Sequence, residues 1–479
     1  MRKTLSLILL VAGLSGCAVG PKYKRPGLHP PDQYYTDPAP QPNSIADLAW
    51  WELFKDPILQ QLIQEALKNN YDVATAAARV EEARANAGIS RSFYYPQIGY
   101  GADIGGQKGA VVPNHTYYDY NVNLAWELDL WGRIRRLNEQ QRALFFASQE
   151  VQRGVWLSLV SDLAQAYFEL RALDVQLQIA RDTGASFQET YDLFSKKLSG
   201  GAASALETSR AEGALTNVLA TIPDLERQIT AQENLICLLL GKNPGPIARG
   251  AALADQNDLD VVPAGLPSTL MERRPDLRQS EQELVAANAA VGVAKANFFP
   301  VVSLTGLLGG VSPQLSGLVS SGSQWSLIGG LAGPLFTGGR LKSQYRVAFA
   351  QRDQAQISYE KSVTQAFGEV STAIAAHQKL AEAYKQQGRS VSAYQESVRL
   401  ANLRYDSGLS SYFEVIDAKL NLFPVQNTQV QYDLGRKLAL VNLYRALGGG
   451  WKLSDLDWLK SASNATLPPT TTPPPTTNQ

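Results

Sequence analysis

The feature that most constrains this chain is that it is written twice. "NAGISRSFYYPQI" at 86–98 answers to "AVGVAKANFFPVV" at 290–302, setting Gly88 on Gly292 and Pro96 on Pro300. "ELDLWGRI" answers to "PLFTGGRL", setting Leu128, Gly132, Arg133 and Ile134 on Leu335, Gly339, Arg340 and Leu341. "YDLFSKKLSGGAASALE" answers to "VRLANLRYDSGLSSYFE", setting Leu193 on Leu400, Gly201 on Gly408 and Glu207 on Glu414. The last two alignments share one spacing of 207 residues, so nothing is inserted between them. Self-similarity on this scale predicts one structural unit made twice rather than two or three unrelated domains. Each half reads as helix, strand pair, very long helix, turn, helix.

After Gly132 no strong stop signal occurs until Gly200 and Gly201, and after Gly339 none until Ser407 and Gly408. Gly154, Gly184, Gly368 and Gly388 are only weak points within these stretches. Roughly 66 residues at 1.5 Å rise each predict a helix of about 100 Å. Trp156, Leu163, Leu170, Leu177, Gly184, Tyr191 and Leu198 recur every seven residues in the first, as do Val363, Val370, His377, Tyr384, Val391, Val398 and Tyr405 in the second. A sustained seven-residue seam is a coiled-coil signal. Gly184, His377 and the Ala-rich flanks loosen it, as expected where several helices curve into a wall.

Between the helices lies "YYDYNVNLAWELDLWGR" (117–133), in which Tyr118, Tyr120, Val122, Leu124, Trp126, Leu128 and Leu130 alternate with Asp119, Asn121, Asn123, Ala125, Glu127 and Asp129. Strict period two predicts a two-faced strand. The other candidate strands are 97–106, 300–310 and 324–336, the last placing Trp325, Leu327, Leu331 and Leu335 on its apolar face. A strand spanning a membrane needs about 9 to 11 residues with an apolar outer face and a polar inner one. An antiparallel sheet packed on a soluble core fits the alternation equally well. Four strands cannot close a barrel around a lumen, and open edges are not tolerated in lipid, so a membrane barrel has to be shared between copies of the chain.

The chain starts "MRKTLSLILLVAGLSGC": a basic start, an apolar run from Leu5 to Leu14 and small residues before Cys17. This is the form of a signal peptide over 1–16, and the run is too short for a permanent helical span. "LSGC" resembles a bacterial lipobox, which implies cleavage before Cys17 and its acylation; an ordinary signal peptide with an incidental cysteine is the alternative. Ala18 in place of Asp resembles lipoproteins sorted to the outer membrane. The other cysteine, Cys237 in "LICLLLG", has no disulfide partner and reads as a small buried hydrophobe. Lys plus Arg and Asp plus Glu both number 44, so no net field recruits nucleic acid.

Taken together, "CAVGPKYKRP" (17–26), "WWELFKDPILQQLIQEAL" (50–67), "LMERRPDLRQSEQELVAANAAVGVAKANFFP" (270–300), the Gly-Arg steps at 132 and 339 and "RYDSGLSSYFEVIDA" (404–418) resemble the TolC-like outer-membrane efflux factors. Within that family they resemble the lipoprotein branch that partners resistance-nodulation-division pumps. The resemblance implies a fold that is mainly α with a membrane β-barrel contribution. Its internally duplicated helix-strand-strand-long helix-helix repeat builds a homotrimer with a twelve-stranded β-barrel and a periplasmic α-helical barrel. The boundaries expected are a lipid anchor and N-terminal collar segment (17–60), a first repeat (61–241), an equatorial linker (242–268), a second repeat (269–448), and a C-terminal collar segment with a Thr- and Pro-rich disordered tail (449–479). The partners implied are a periplasmic adaptor (membrane-fusion) protein, an inner-membrane resistance-nodulation-division pump and outer-membrane lipid.

The free end of such a conduit lies at the turns near Gly200 and Gly408. Both halves carry a capping-box pattern there, Ser204 to Glu207 and Ser411 to Glu414, in which the serine caps a helix start and the acid reaches back. Capping alone can account for both glutamates, but not for Asp417. Glu414 and Asp417 share a helix face, and Arg210, at the first-half position equivalent to 417, offers an acid-to-base contact. The family's gating tyrosine and acidic positions fall on Tyr405, Glu414 and Asp417, and its first-half acidic partner on Glu207. Ser410 departs from members that carry a linking base there. The adaptor is expected to grip the tips at Gly200, Gly201, Ser204, Gly408 and Ser411.

No catalytic, cofactor-binding or metal constellation is legible. His29, His115 and His377 lack ligand-spaced partners or a nucleophile, and His377 reads as a seam residue. "ERRPDLRQSE" (272–281) reads as a helix start at Pro275 with arginines paired in the collar. "GYGADIGG" (99–106) is followed by a loop, not the helix a phosphate site needs. The expected function is a passive outer-membrane duct for small molecules such as drugs and toxic compounds. The channel of a type I protein-secretion system and a non-conducting envelope scaffold are the alternatives.

Overall fold

The computed structural model describes residues 18–27, 31, 33–35, 44–107, 115–256, 265, 267–319 and 323–449. The expected signal peptide, Cys17, His29 and nearly all of the C-terminal segment from 449 lie outside them. The helices are α1 (Trp50–Leu53), α2 (Pro57–Asn69), α3 (Tyr71–Ser92), α4 (Arg133–Ser199), α5 (Ala205–Leu219), α6 (Thr221–Leu239), α7 (Pro267–Arg273), α8 (Pro275–Ala296), α9 (Arg340–Asp406) and α10 (Phe413–Ala446). The strands are β1 (Gln97–Gln107) and β2 (His115–Leu128) before α4, and β3 (Val301–Ser312) and β4 (Ser323–Ala332) before α9. Both long helices have 67 residues, and each starts just after a left-handed glycine, Gly132 (φ 81°) or Gly339 (φ 87°). A clear break in the repeat is that the long return helix α10 corresponds to two shorter helices, α5 and α6, interrupted at Ala220.

The described residues fall into two compact units. One draws on Met1–Leu28, Ala77–Val151 and Asp276–Ser362, the other on His29–Ala76, Gln152–Pro275 and Val363–Gln479. In the first unit the four strands form one antiparallel sheet in the order β1-β2-β3-β4. Its register puts Tyr100 opposite Val122, Val122 opposite Leu308 and Leu308 opposite Trp325. One face of all four strands is therefore apolar, and it is exposed: Tyr100 91%, Leu308 60%, Trp325 78%, Leu331 72%. The opposite face carries Asp103, Asp119, Asn121, Asn123, Ser303, Thr305 and Ser326, with Val301, Leu307, Val311 and Ile328 among them.

Two strands, β2 and β4, end earlier than expected. β2 stops at Leu128 rather than Leu130, because Asp129 turns away to cap α4, accepting from the Ile134 N–H at 3.0 Å and the Arg135 N–H at 2.9 Å. β4 stops at Ala332 because Gly333 and Pro334 follow, and proline cannot donate to a ladder. Leu335 and Phe336 lie beyond it, almost fully exposed. Trp131 stacks on Phe299 with ring centroids 4.9 Å apart and donates to the Pro300 carbonyl at 2.7 Å.

The N-terminal strap crosses this unit where the chain is stripped of side chains. The Val19 N–H donates to the Trp131 carbonyl at 3.0 Å, and a Cβ on Gly20 (φ 103°) would lie 2.5 Å from the Gly292 Cα. Farther along the strap, the Tyr23 hydroxyl and Arg25 both donate to Glu281, at 3.0 and 2.8 Å.

In the second unit the seven-residue seam is buried over part of each helix: Leu163, Leu170, Leu177, Val363 and Val370 are buried, Trp156, Tyr191, His377, Tyr384, Val391 and Val398 are half-buried, and Leu198 is exposed. Of the "ERRPD" segment, Arg273 pairs with Asp47, and Arg274 reaches Glu369 at 2.7 Å and the Ala446 carbonyl at 2.9 Å. Pro275 opens α8, as its missing N–H allows. Cys237 is buried, its Sγ 3.3 Å from the Gly245 carbonyl oxygen.

A polar hub lies inside this unit. The Asp56 Oδ2 accepts from the Tyr167 hydroxyl (3.0 Å), the Ala251 N–H (3.0 Å) and Gln256 Nε2 (2.7 Å), while Oδ1 accepts from the Ile58 N–H (2.8 Å) that it caps. Lys437, 2% exposed, donates to the Gln256 carbonyl at 2.8 Å. Burial pushes the Asp56 carboxyl up, but the bonds from Gln256, Tyr167 and the helix N–H groups outweigh it and hold it below its ordinary 3.8. Burial pushes the Tyr167 hydroxyl up to about 12.

Replacing Asp56 by Ala takes the acceptor from the Tyr167, Ala251, Gln256 and Ile58 donors, with an expected cost of about 3 kcal/mol in chemical denaturation at neutral pH. A folded-state pKa below the unfolded value contributes stability that is complete above the unfolded pKa of 3.8 and is lost as pH falls through the folded value. Asp56→Asn should therefore be less stable than the parent at pH 7 and show a flatter loss of stability below pH 3.8.

Candidate functional site

Both helix tips close by the same backbone device. At the end of α4 the Gly201 N–H donates to the Leu198 carbonyl (3.0 Å) and the Ala202 N–H to that of Lys197 (2.7 Å). At the end of α9 the Gly408 N–H donates to the Tyr405 carbonyl (2.9 Å) and the Leu409 N–H to that of Arg404 (2.8 Å). Gly201 and Gly408 have φ of 71° and 70°, the left-handed conformation this closure requires. Gly200 belongs to the same turn as Gly201, its N–H donating to the Lys196 carbonyl at 3.1 Å.

The helices leaving the turns start differently. Ser204 and Glu207 form the expected capping box: the Glu207 N–H donates to Ser204 Oγ at 3.3 Å, and Glu207 Oε2 accepts from the Ser204 N–H at 2.8 Å and its hydroxyl at 3.0 Å. Those bonds from Ser204 hold the Glu207 carboxyl below its usual range. The matching box at Ser411 and Glu414 does not form. α10 begins at Phe413 with Tyr412 at its N-cap and no side-chain cap, and Glu414 instead accepts from Arg404 Nε at 3.1 Å.

Behind the turns, Phe187, Phe194, Ala211, Ala214, Leu215, Val218 and Ile416 form a buried cluster that joins α4, α5 and α10. Tyr412 covers it, 4.7 Å from the Tyr405 ring and 5.0 Å from that of Phe194, and its hydroxyl lies 2.9 Å from Thr190 Oγ1. The Tyr405 hydroxyl accepts from Lys197 Nζ at 2.5 Å. Deeper in the hairpin, Lys419 donates to the Ser186 hydroxyl at 2.8 Å, and burial pulls its ammonium below the ordinary lysine range.

Of the expected gate residues, Tyr405 lies half-buried at the end of α9, while Glu414 and Asp417 lie exposed on the first turns of α10. The anticipated contact between Arg210 and Asp417 is not made within the chain. Arg210 lies 4.9 Å from the Phe413 ring centroid, and Asp417 accepts from Asn421 at 3.2 Å. Sequence reasoning missed Lys197, although its repeat equivalent is Arg404 and both are basic residues in a helix's last turn, where the dipole favours them. Among the described residues no group of three or more His, Cys, Asp or Glu side chains could hold a metal ion, and no helix is long and apolar enough to cross a membrane.

Gly408→Ala forces a Cβ into the left-handed region at a cost of about 1 kcal/mol, so amide exchange over 404–412 should accelerate roughly fivefold. Gly200→Ala, whose φ is not positive, should leave exchange at the first tip unchanged.

The sequence profile of a family described as outer membrane efflux protein matches residues 62–242 and 266–449. The probable outer membrane lipoprotein SilC of Salmonella typhimurium is 34% identical over 94% of this chain and 98% of its own. The toluene efflux pump outer membrane protein TtgC of Pseudomonas putida is 35% identical over 94% of this chain and 96% of its own. The open state of the Neisseria gonorrhoeae MtrE outer membrane channel superposes with a TM-score of 0.83 at 30% identity, covering 91% of this chain and 99% of that one.

Proposed function

The chain belongs to the outer membrane efflux protein family, and from that premise we propose that three copies complete one duct, gated at the tips of the long helices. The duct passes small molecules outward from an inner-membrane resistance-nodulation-division pump. A periplasmic adaptor that grips the turns at Gly200, Gly201, Ser204, Gly408 and Ser411 couples the two. Acylated Cys17 anchors each copy in the outer membrane. The collar is built from 17–60, the linker 242–268 and the segment from 449; the hub that ties Asp56 and Gln256 to α4 and α10 supports this reading.

The observation that carries the proposal is the sheet. Its apolar face is exposed on all four strands, and β1 and β4 each pair on one side only among the described residues. Apolar exposure of that extent is expected of a lipid contact, and the two open edges call for strands from neighbouring copies. The inner face, richer in Asp, Asn, Ser and Thr than the outer one, suits a water-filled lumen. A passive lining of this kind selects little, so choice of substrate rests with the pump. TtgC is named for toluene, an apolar solute that such a duct passes without a binding site.

At the helix tips Tyr405, Glu414 and Asp417 of three copies ring the axis, with Glu207 and Arg210 beside them, as the narrowest point when shut. Opposite charges at 4 Å near a surface contribute only a few kcal/mol, within what an adaptor contact supplies. In planar bilayers the trimer should conduct in brief openings with a preference for cations. The double variant Glu414→Ala with Asp417→Ala should raise open probability and reduce that preference about twofold or more. Unchanged conductance and selectivity in that variant would place the gate elsewhere.

A further inference from the structure

The two tips are repeat equivalents that spend the same charges differently. Lys197 and Arg404 stand at one position of the repeat, and Glu207 and Glu414 at another, both pairs at the spacing of 207 residues. At the second tip the base and acid close on each other, Arg404 Nε to Glu414 Oε2 at 3.1 Å. At the first tip the acid is turned back into its capping box, and the base crosses to the other hairpin. Lys197 Nζ donates to Tyr405 Oη at 2.5 Å, with the ammonium 5.3 Å from the Tyr405 ring centroid and 5.6 Å from that of Phe194. Tyr405 has no counterpart in the first repeat, where Leu198 stands.

We infer that Lys197 is a two-position latch: bonded to Tyr405 it ties the two hairpins of one protomer together, and when they part it pairs with Glu207 as Arg404 pairs with Glu414. The inference rests on the gate reading above and adds the residue that sets its balance. Parting the hairpins without a second acceptor would strip the ammonium of the Tyr405 hydroxyl and ring and leave it only the Phe194 ring on its own helix. Glu207 supplies that acceptor at little cost, because both bonds from Ser204 fall on Oε2 and leave Oε1 available without breaking the capping box. Asp417 and Arg210 need not meet for this latch to act.

The test is open probability of the full-length trimer in planar bilayers, with trimer yield and melting temperature checked for each variant. Lys197→Met and Tyr405→Phe each remove the closed-state bond and keep the bulk of the side chain. Tyr405→Phe, which removes only the closed-state bond, should raise open probability roughly fivefold, the scale of one charge-assisted hydrogen bond at a partly exposed site; Lys197→Met, which also removes the open-state pair with Glu207, should raise it less, about twofold. The double variant should open no more than the larger single, since both remove one bond. Glu207→Gln keeps the capping box, which accepts Gln at this position, but weakens the open-state partner, so it should lower open probability about twofold or more. A Glu207 that serves only as a cap predicts no change in that variant. Silence in Tyr405→Phe, additivity in the double, or an unchanged or raised open probability in Glu207→Gln overturns the latch. If Glu414→Ala with Asp417→Ala still alters conductance in the same membranes, the gate stands without the latch; if that variant is silent too, the gate reading itself fails.

Discussion

Hydrocarbon offers a strand's backbone nothing to bond to, and this is the constraint on which the rest of the molecule depends. Among the described residues four antiparallel strands satisfy one another across three seams and leave two edges open. A soluble protein can blunt such edges with charge or proline, but a sheet whose outer face carries Tyr100, Leu308, Trp325 and Leu331 has no solvent to turn them toward. The chain is thus unfinished by itself. The same reasoning bears on the helices, whose buried seams are narrow and whose remaining faces are extensively exposed, especially along α9.

Much of this was legible because duplication lets a sequence check itself. The alignment of Gly132 with Gly339 and Gly201 with Gly408 located both ends of both long helices, since a left-handed glycine is a physical stop that side-chain preferences do not override. The two-faced strand was legible for a similar reason: period two admits only one assignment of faces, and the observed register placed all four apolar faces together.

What escaped was decided by competition between partners. The motif at Ser411 and Glu414 has the right spacing for a cap, yet Arg404, ten residues upstream, offers the acid an ion pair instead. Spacing shows which bonds are available and not which of two wins. Lys197 was missed because its partner Tyr405 is distant in sequence, and the hub at Asp56 because its donors come from residues 167, 251 and 256, brought together only by folding. Leu130 and Leu335 continued an alternation that Asp129 and Pro334 had already ended.

The two long helices begin at 133 and 340 and end at 199 and 406, each 67 residues. Gly241 and Gly448, also left-handed, extend the same spacing to the ends of the return helices. Length is therefore a paired coordinate in this protein. One residue added to a single helix turns everything beyond it by about 100° and advances it about 1.5 Å, pulling Lys197 or Tyr405 out of reach of the other. Removing seven from one helix alone preserves its buried stripe but staggers the two turns by about 10 Å. The reach of the pair can therefore be adjusted only by editing both copies of the repeat together, in steps close to a heptad.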